Sequence, residues 1–170
     1  MPRITARLLL RPPQVDDLAS VFAIYGDPAT NQFNPAGPLT RIDQAQTLLT
    51  QWMTHWEIHG YGQWTIATRD APDCVIGFGG VDSRKYAETE RLNLGYRFAV
   101  TAWGRGYATE LSRAAVGFGL DELKLRQIFA LVRPAHAASI HVLEKIGMQR
   151  VDVLDDVPGQ LPSLVYTISR

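Results

Sequence analysis

The chain has 170 residues, with 17 basic against 17 acidic side chains and a formal net charge of zero. That balance argues against nucleic acid or an anionic membrane as the main partner, since both call for a basic excess or stripe. With 46% hydrophobic and 20% charged residues the chain buries a core rather than staying disordered, and its length fits one domain over residues 1–170.

Cys74 is the only cysteine, so no internal disulfide forms, and it reads as a small apolar strand residue. No Cys/His spacing suggests a metal site. No apolar run approaches a bilayer span, and Met1-Pro2-Arg3-Ile4 lacks the apolar stretch of a signal peptide, so the expected location is the cytoplasm.

Ala6 to Arg11 carries Leu8-Leu9-Leu10 ahead of Pro12-Pro13 and predicts a first strand. Asp16-Asp17 opens a helical pattern through Leu18, Val21, Phe22 and Tyr25, which Gly26-Asp27-Pro28 closes. A polar loop from Asn31 to Pro38 leads to a second helix. Thr40 is its expected N-cap, Asp43 takes the capping-box place, and the helix stops near Ile58, before Gly60. Strands are expected at Gln63 to Thr68, Val75 to Val81 and Leu92 to Val100, with turns over Asp70 to Asp73 and Arg84 to Glu90. A helix from about Tyr107 to Leu120, a strand from Gln127 to Val132 and a helix from Pro134 to Gly147 follow. Strands near Met148 to Val153 and Leu164 to Ile168 finish the chain. This order of seven strands and four helices predicts an α/β fold, a mixed sheet with helices on both faces.

The most informative run is Leu94 to Glu110, where a strand feeds a glycine-containing turn that opens a helix. The first N–H groups of a helix lack internal partners, and the helix dipole adds partial positive charge there. Gly104 and Gly106 remove side chains that would block an approaching ligand, and Arg105 adds a full charge. A pyrophosphate is the natural guest. The alternative is a plain strand-to-helix turn that needs two glycines. The run lacks the Gly-Lys-Ser/Thr ending of a Walker loop and the G-x-G-x-x-G dinucleotide fingerprint.

Leu94-Gly95-Tyr96-Arg97-Phe98 followed by Trp103-Gly104-Arg105-Gly106-Tyr107-Ala108-Thr109-Glu110 resembles the acetyl-CoA motif of the GNAT superfamily of N-acetyltransferases, in its RimJ/RimL-like branch. Ser139-Ile140-His141-Val142-Leu143-Glu144-Lys145-Ile146-Gly147-Met148 and Thr5-Ala6-Arg7-Leu8-Leu9-Leu10-Arg11-Pro12 are similar to two further motifs of that branch, in the same order. The resemblance implies a GNAT fold: a mixed, mostly antiparallel seven-stranded sheet whose fourth and fifth strands splay apart. It implies acetyl-CoA as co-substrate, no metal, and transfer of acetyl to an amine by direct attack in a ternary complex. Backbone groups of Phe98, Ala99 and Val100 would hold the pantetheine arm. The N–H groups of Gly104, Arg105, Gly106, Tyr107, Ala108 and Thr109 would hold the pyrophosphate, and an N–H of Phe98 or Ala99 would stabilise the oxyanion.

Three positions depart from the family pattern. His136 stands where the branch carries an Asn that contacts pantetheine. Asn93 stands where many relatives carry a Glu; it orients a water but accepts no proton. Leu143 replaces the Tyr that in many members protonates the leaving thiolate, which makes Ser139 the substitute donor, unless its hydroxyl only supports the first turn of its helix. His141 reads as a surface residue. Phe33, Trp64 and Tyr96 are candidates for the acceptor pocket, or else core residues. The expected acceptor is a peptide N-terminus or a small-molecule amine, and the expected state a monomer or homodimer. The competing reading is a CoA-binding sensor or interaction module with weak or no catalysis.

Overall fold

The computed structural model describes residues 1–170. Its strands are β1 (Arg3–Ile4), β2 (Leu8–Arg11), β3 (Gln63–Thr68), β4 (Ala71–Tyr86), β5 (Thr89–Phe98), β6 (Gln127–Val132), β7 (Gln149–Leu154) and β8 (Ser163–Ser169). They form one sheet in the order β1-β2-β3-β4-β5-β6-β8-β7. The pairing is mixed: β5 meets β6 in parallel, whereas β1–β2, β2–β3, β3–β4, β6–β8 and β7–β8 are antiparallel. Four helices accompany them: α1 (Leu18–Tyr25), α2 (Ile42–His59), α3 (Tyr107–Gly117) and α4 (Ala137–Lys145). The strand beyond the expected seven is the two-residue β1, which pairs Arg3 with Leu10 and Ile4 with Leu9. No helix is long and apolar enough to cross a membrane.

Two compact units make up the chain: Met1–Gly80 with Tyr96–Tyr107, and Val81–Gly95 with Ala108–Arg170. In the first, Leu8 and Leu10 turn fully inward from β2, as the two-residue period of a strand requires. Val21 and Ile24 of α1 meet Ala45, Leu49 and Trp52 of α2 and Phe78 of β4 in one apolar cluster. The Trp52 ring lies 5.4 Å from Tyr25 and 5.2 Å from Phe78, distances at which aromatic pairs attract beyond their area burial. Asp17 is buried at the start of this unit. It accepts two hydrogen bonds from Arg11 (2.8 and 2.7 Å), one from the Gln14 N–H (2.8 Å) and one from the Thr65 hydroxyl (2.8 Å). Burial pushes its carboxyl pKa up, but these donors outweigh burial and hold it below the ordinary value.

The cap of α2 corrects the sequence reading. The helix starts at Ile42 with Arg41 as N-cap. Gln44, not Asp43, reaches back, its Oε1 accepting the N–H groups of Thr40 (2.8 Å) and Arg41 (3.1 Å). The longer Gln side chain spans that distance, while Asp43 pairs with the Arg41 guanidinium at 2.9 Å. Cys74 does lie in a strand, β4, but it is exposed rather than packed.

In the second unit, β6 alternates Ile128, Ala130 and Val132 inward. α3 buries Leu111, Ser112, Ala115 and Val116, a single face of the helix, and a π-helical turn continues it through Glu122. The expected turn over Arg84 to Glu90 is mostly strand: β4 runs on to Tyr86, whose ring is buried, and only Ala87 and Glu88 make the turn. α4 begins at Ala137, three residues later than expected, because Pro134 lies in a turn closed by the His136 N–H on the Arg133 carbonyl (3.0 Å). It ends as predicted, with Gly147 N–H bonded to Glu144 and Met148 N–H to Leu143.

Candidate active site

The end of β5 is where the chain stops forming ladder pairs and exposes backbone. Ala99 N–H donates to the Ile76 carbonyl of β4 at 2.8 Å. In an extended strand successive amides point to opposite sides. Ala99 therefore faces β4, and the N–H and C=O of Phe98 face away from it. The Ala99 amide is thus spent on the sheet, and of the two amides that of Phe98 is the one turned outward. The Phe98 carbonyl accepts the Trp103 indole N–H at 3.0 Å, which secures the backbone at this point. Gly77 makes the arrangement possible, since a Cβ there would stand 2.7 Å from the Phe98 ring and 2.8 Å from the Arg97 carbonyl.

A 3-10 turn (Val100–Ala102) then leads to the loop Trp103-Gly104-Arg105-Gly106 and directly into α3. Gly104 and Gly106 have φ of 71° and 78°, values that side chains with a Cβ disfavour. Nothing lies within 4 Å of a Cβ built on Gly104, and Val100, Trp103, Gly104, Arg105 and Gly106 are all exposed. Tyr107, Ala108 and Thr109 are half-buried and form the first turn of α3, whose N–H groups lack helical partners. Unpaired amides, a helix start and the exposed Arg105 make this loop fit an anionic guest.

Sequence reasoning missed Arg7. Its Nη1 donates to the Arg105 carbonyl at 2.7 Å, and its guanidinium lies 4.8 Å from the centre of the Tyr107 ring. The contact bridges 98 positions of sequence, and no local pattern announces it. Asn31 was likewise read only as the start of a polar loop. It is buried, its amide donates to the carbonyls of Tyr25 (2.9 Å) and Asp27 (2.8 Å), and its Oδ1 accepts from Arg97 and from Asn34 (2.9 Å). Arg97 also stacks on Tyr25 at 4.5 Å.

The other expected residues fall as follows. Phe33 and Tyr96 are half-buried in the first unit, the Tyr96 ring 6.1 Å from Phe98. Trp64 is only 3% exposed and 6.3 Å from the Trp56 ring, so of its two readings the core one describes it, and little of its indole is left for an acceptor. Asn93, in the second unit, is buried, and its Oδ1 accepts the Tyr86 hydroxyl at 2.5 Å. Burial holds the Tyr86 phenol far above its ordinary pKa, so it stays a donor. Asn93 is also the β5 residue registered against β6, opposite Phe129, at a single pair where β6 and β8 share six. Such brief pairing is what a splayed strand pair requires. His136 and Ser139 are half-buried in the second unit, at the start of α4; His141 is exposed and Leu143 buried. No group of three or more His, Cys, Asp or Glu side chains gathers as metal ligands would.

Residues 7–149 match the family model of the acetyltransferase (GNAT) domain. The chain belongs to the GNAT family of N-acetyltransferases. Its relatives include the uncharacterized protein YkkB of Bacillus subtilis (strain 168), 32% identical over 151 residues that cover 85% of this chain and 83% of that one. Among solved structures, a GNAT-family acetyltransferase from Bacillus anthracis superposes with a TM-score of 0.81 at 23% identity, over 99% of this chain and 98% of that chain. A spermidine N-acetyltransferase from Vibrio cholerae, in complex with CoA and spermine, gives 0.77 at 17% identity, over 97% and 96%. At these identities the superpositions show the fold. The family draws its acetyl group from acetyl-CoA, and the chain is an N-acetyltransferase.

Proposed function

We propose that residues 1–170 work as one acetyltransferase domain of the RimJ/RimL-like kind, carrying acetyl from acetyl-CoA to a primary amine, either a peptide N-terminus or a small molecule. The observation that carries this reading is the exposed, glycine-permitted backbone between Phe98 and α3. Its outward Phe98 amide and the amides of Gly104 to Thr109 match the two needs of the co-substrate, a polarised thioester carbonyl and a bound pyrophosphate.

Acetyl-CoA supplies the activated acetyl group. In this reading the amides from Gly104 to Thr109, with Arg105, hold the pyrophosphate. The backbone of Val100, the second lone pair of the Ala99 carbonyl beside its bond from the Ala102 N–H (2.9 Å), and the His136 side chain hold the pantetheine arm. The Phe98 N–H stabilises negative charge on the carbonyl oxygen as the amine attacks directly. The nucleophile is the free base. An α-amine has a pKa of about 8 and a lysine side chain about 10, so an N-terminus needs the weaker base, and water suffices for it. Asn93 serves by holding Tyr86 rather than by taking a proton. Ser139 gives the leaving thiolate its hydrogen bond. Phe33, on a loop that Asn31 keeps in shape, and Tyr96 of β5 border the acceptor.

The competing sensor reading draws on Asn93, whose carbonyl is already engaged by Tyr86, and on Leu143, which packs inward. Purified protein given acetyl-CoA and a panel of amines and peptides separates the two. Thiol release with an acceptor supports the enzyme, and CoA binding without release on any acceptor supports the sensor.

A further inference from the structure

We propose that Arg7 is a positioning residue of the phosphate loop: it turns the Arg105–Gly106 peptide so that the Gly106 amide faces the pyrophosphate. The inference rests on the reading of that loop as a pyrophosphate site.

The geometry gives the reason. Arg7 Nη1 takes the Arg105 carbonyl at 2.7 Å. A trans peptide points its C=O and its N–H in opposite directions. Holding the Arg105 carbonyl therefore aims the Gly106 N–H the other way and removes the negative end of that peptide from the cradle. The rest of the guanidinium is fixed too: it stacks over Tyr107 at 4.8 Å, and its Nη2 would be 3.4 Å from a Cβ on Gly106.

The backbone that carries Arg7 is itself anchored. Its carbonyl accepts the Arg69 N–H at 2.9 Å, and the Arg69 side chain holds the neighbouring Ala6 carbonyl at 3.1 Å. Thr5 and Leu8 close the turn around it, with the Leu8 N–H on Thr5 Oγ1 at 3.0 Å. Arg7 is exposed yet held in one direction, as a residue that fixes a peptide plane must be. A lysine would keep the charge but not the planar fork that joins a carbonyl and an aromatic face at once.

The test is calorimetric titration of the full chain with CoA and with pantetheine, which lacks the phosphates, in wild type, Arg7→Met and Arg7→Lys, with melting temperatures alongside. Arg7→Met is expected to weaken CoA about tenfold or more, the loss that follows removal of one charge-assisted hydrogen bond, and to leave pantetheine affinity and folding unchanged. Arg7→Lys is expected to fall between the two. CoA affinity unchanged in Arg7→Met, equal losses for CoA and pantetheine, or wild-type CoA affinity in Arg7→Lys would each overturn the proposal. Should Arg7→Met fail to fold, Arg7→Lys carries the test alone by the same CoA-to-pantetheine comparison. A wild-type protein that binds no CoA is a different result and overturns the reading of the loop itself.

Discussion

Adding one methyl group at Gly106 separates a functional loop from a merely structural turn. Gly106 has φ of 78°, and Gly60, which ends α2, has φ of 72°. An alanine in this left-handed region costs about 1–2 kcal/mol, and for a chain of this size each kcal/mol lowers Tm by about 2–4 °C. Both variants should therefore melt a few degrees early. They differ in what the methyl meets: nothing within 4 Å at Gly60, but Arg7 Nη2 at 3.4 Å at Gly106. If the loop relaxes to relieve strain and contact, its amides leave the positions the pyrophosphate uses. Losing even one charge-assisted hydrogen bond there costs about 1.5–3 kcal/mol, which is about tenfold to a hundredfold in CoA affinity. Calorimetric titration with CoA reads this directly. Gly106→Ala should bind at least about tenfold more weakly, while Gly60→Ala should bind as the wild type does despite a similar fall in Tm. Equal CoA affinity in the two variants would show that the loop is a turn and nothing more.

Asn31→Ala should raise KM for the acceptor, leave CoA affinity unchanged and cost about 1–3 kcal/mol of stability, because it removes two hydrogen bonds, to the carbonyls of Tyr25 and Asp27, each worth about 0.5–1.5 kcal/mol; steady-state kinetics with each substrate varied in turn checks this. Asp17 has a folded pKa below its ordinary 3.8, so its stabilisation is present above that value and drains away as pH falls through the lower folded value. Asp17→Asn should consequently lower Tm at neutral pH and flatten its decline below about pH 4, read from melts between pH 7 and 2.5. Trp103 is 49% exposed and the other tryptophans more buried, so CoA should change the intrinsic fluorescence in the wild type and much less in Trp103→Phe when each is saturated with CoA.

What the sequence made legible follows from where local chemistry decides structure. The order of strands and helices was readable because Leu8-Leu9-Leu10, the β6 alternation and the faces of α1 to α4 follow the periods of their elements. The glycine loop was readable because residues adjacent in sequence build it. Errors came where reach or distant packing decides. Asp43 looked like a capping residue by spacing, but the longer Gln44 makes the contact. Arg84 to Glu90 looked like a charged turn, but burial of Tyr86 keeps β4 extended to the hairpin tip. The Ala99 amide depends on which neighbour lies beside β5, a fact of pairing rather than of composition. Arg7 meets Arg105 across most of the chain, and the amide of Asn31 is spent on carbonyls that any residue would supply.

The central claim is that this chain uses acetyl-CoA to acetylate an amine, and it is tested most directly by following free thiol from acetyl-CoA across a panel of peptide N-termini and small amines, with CoA affinity measured on the same preparation. The account predicts CoA binding together with thiol release that requires an acceptor and yields an acetylated amine of matching mass. A protein that neither binds CoA nor releases thiol with any acceptor would contradict it.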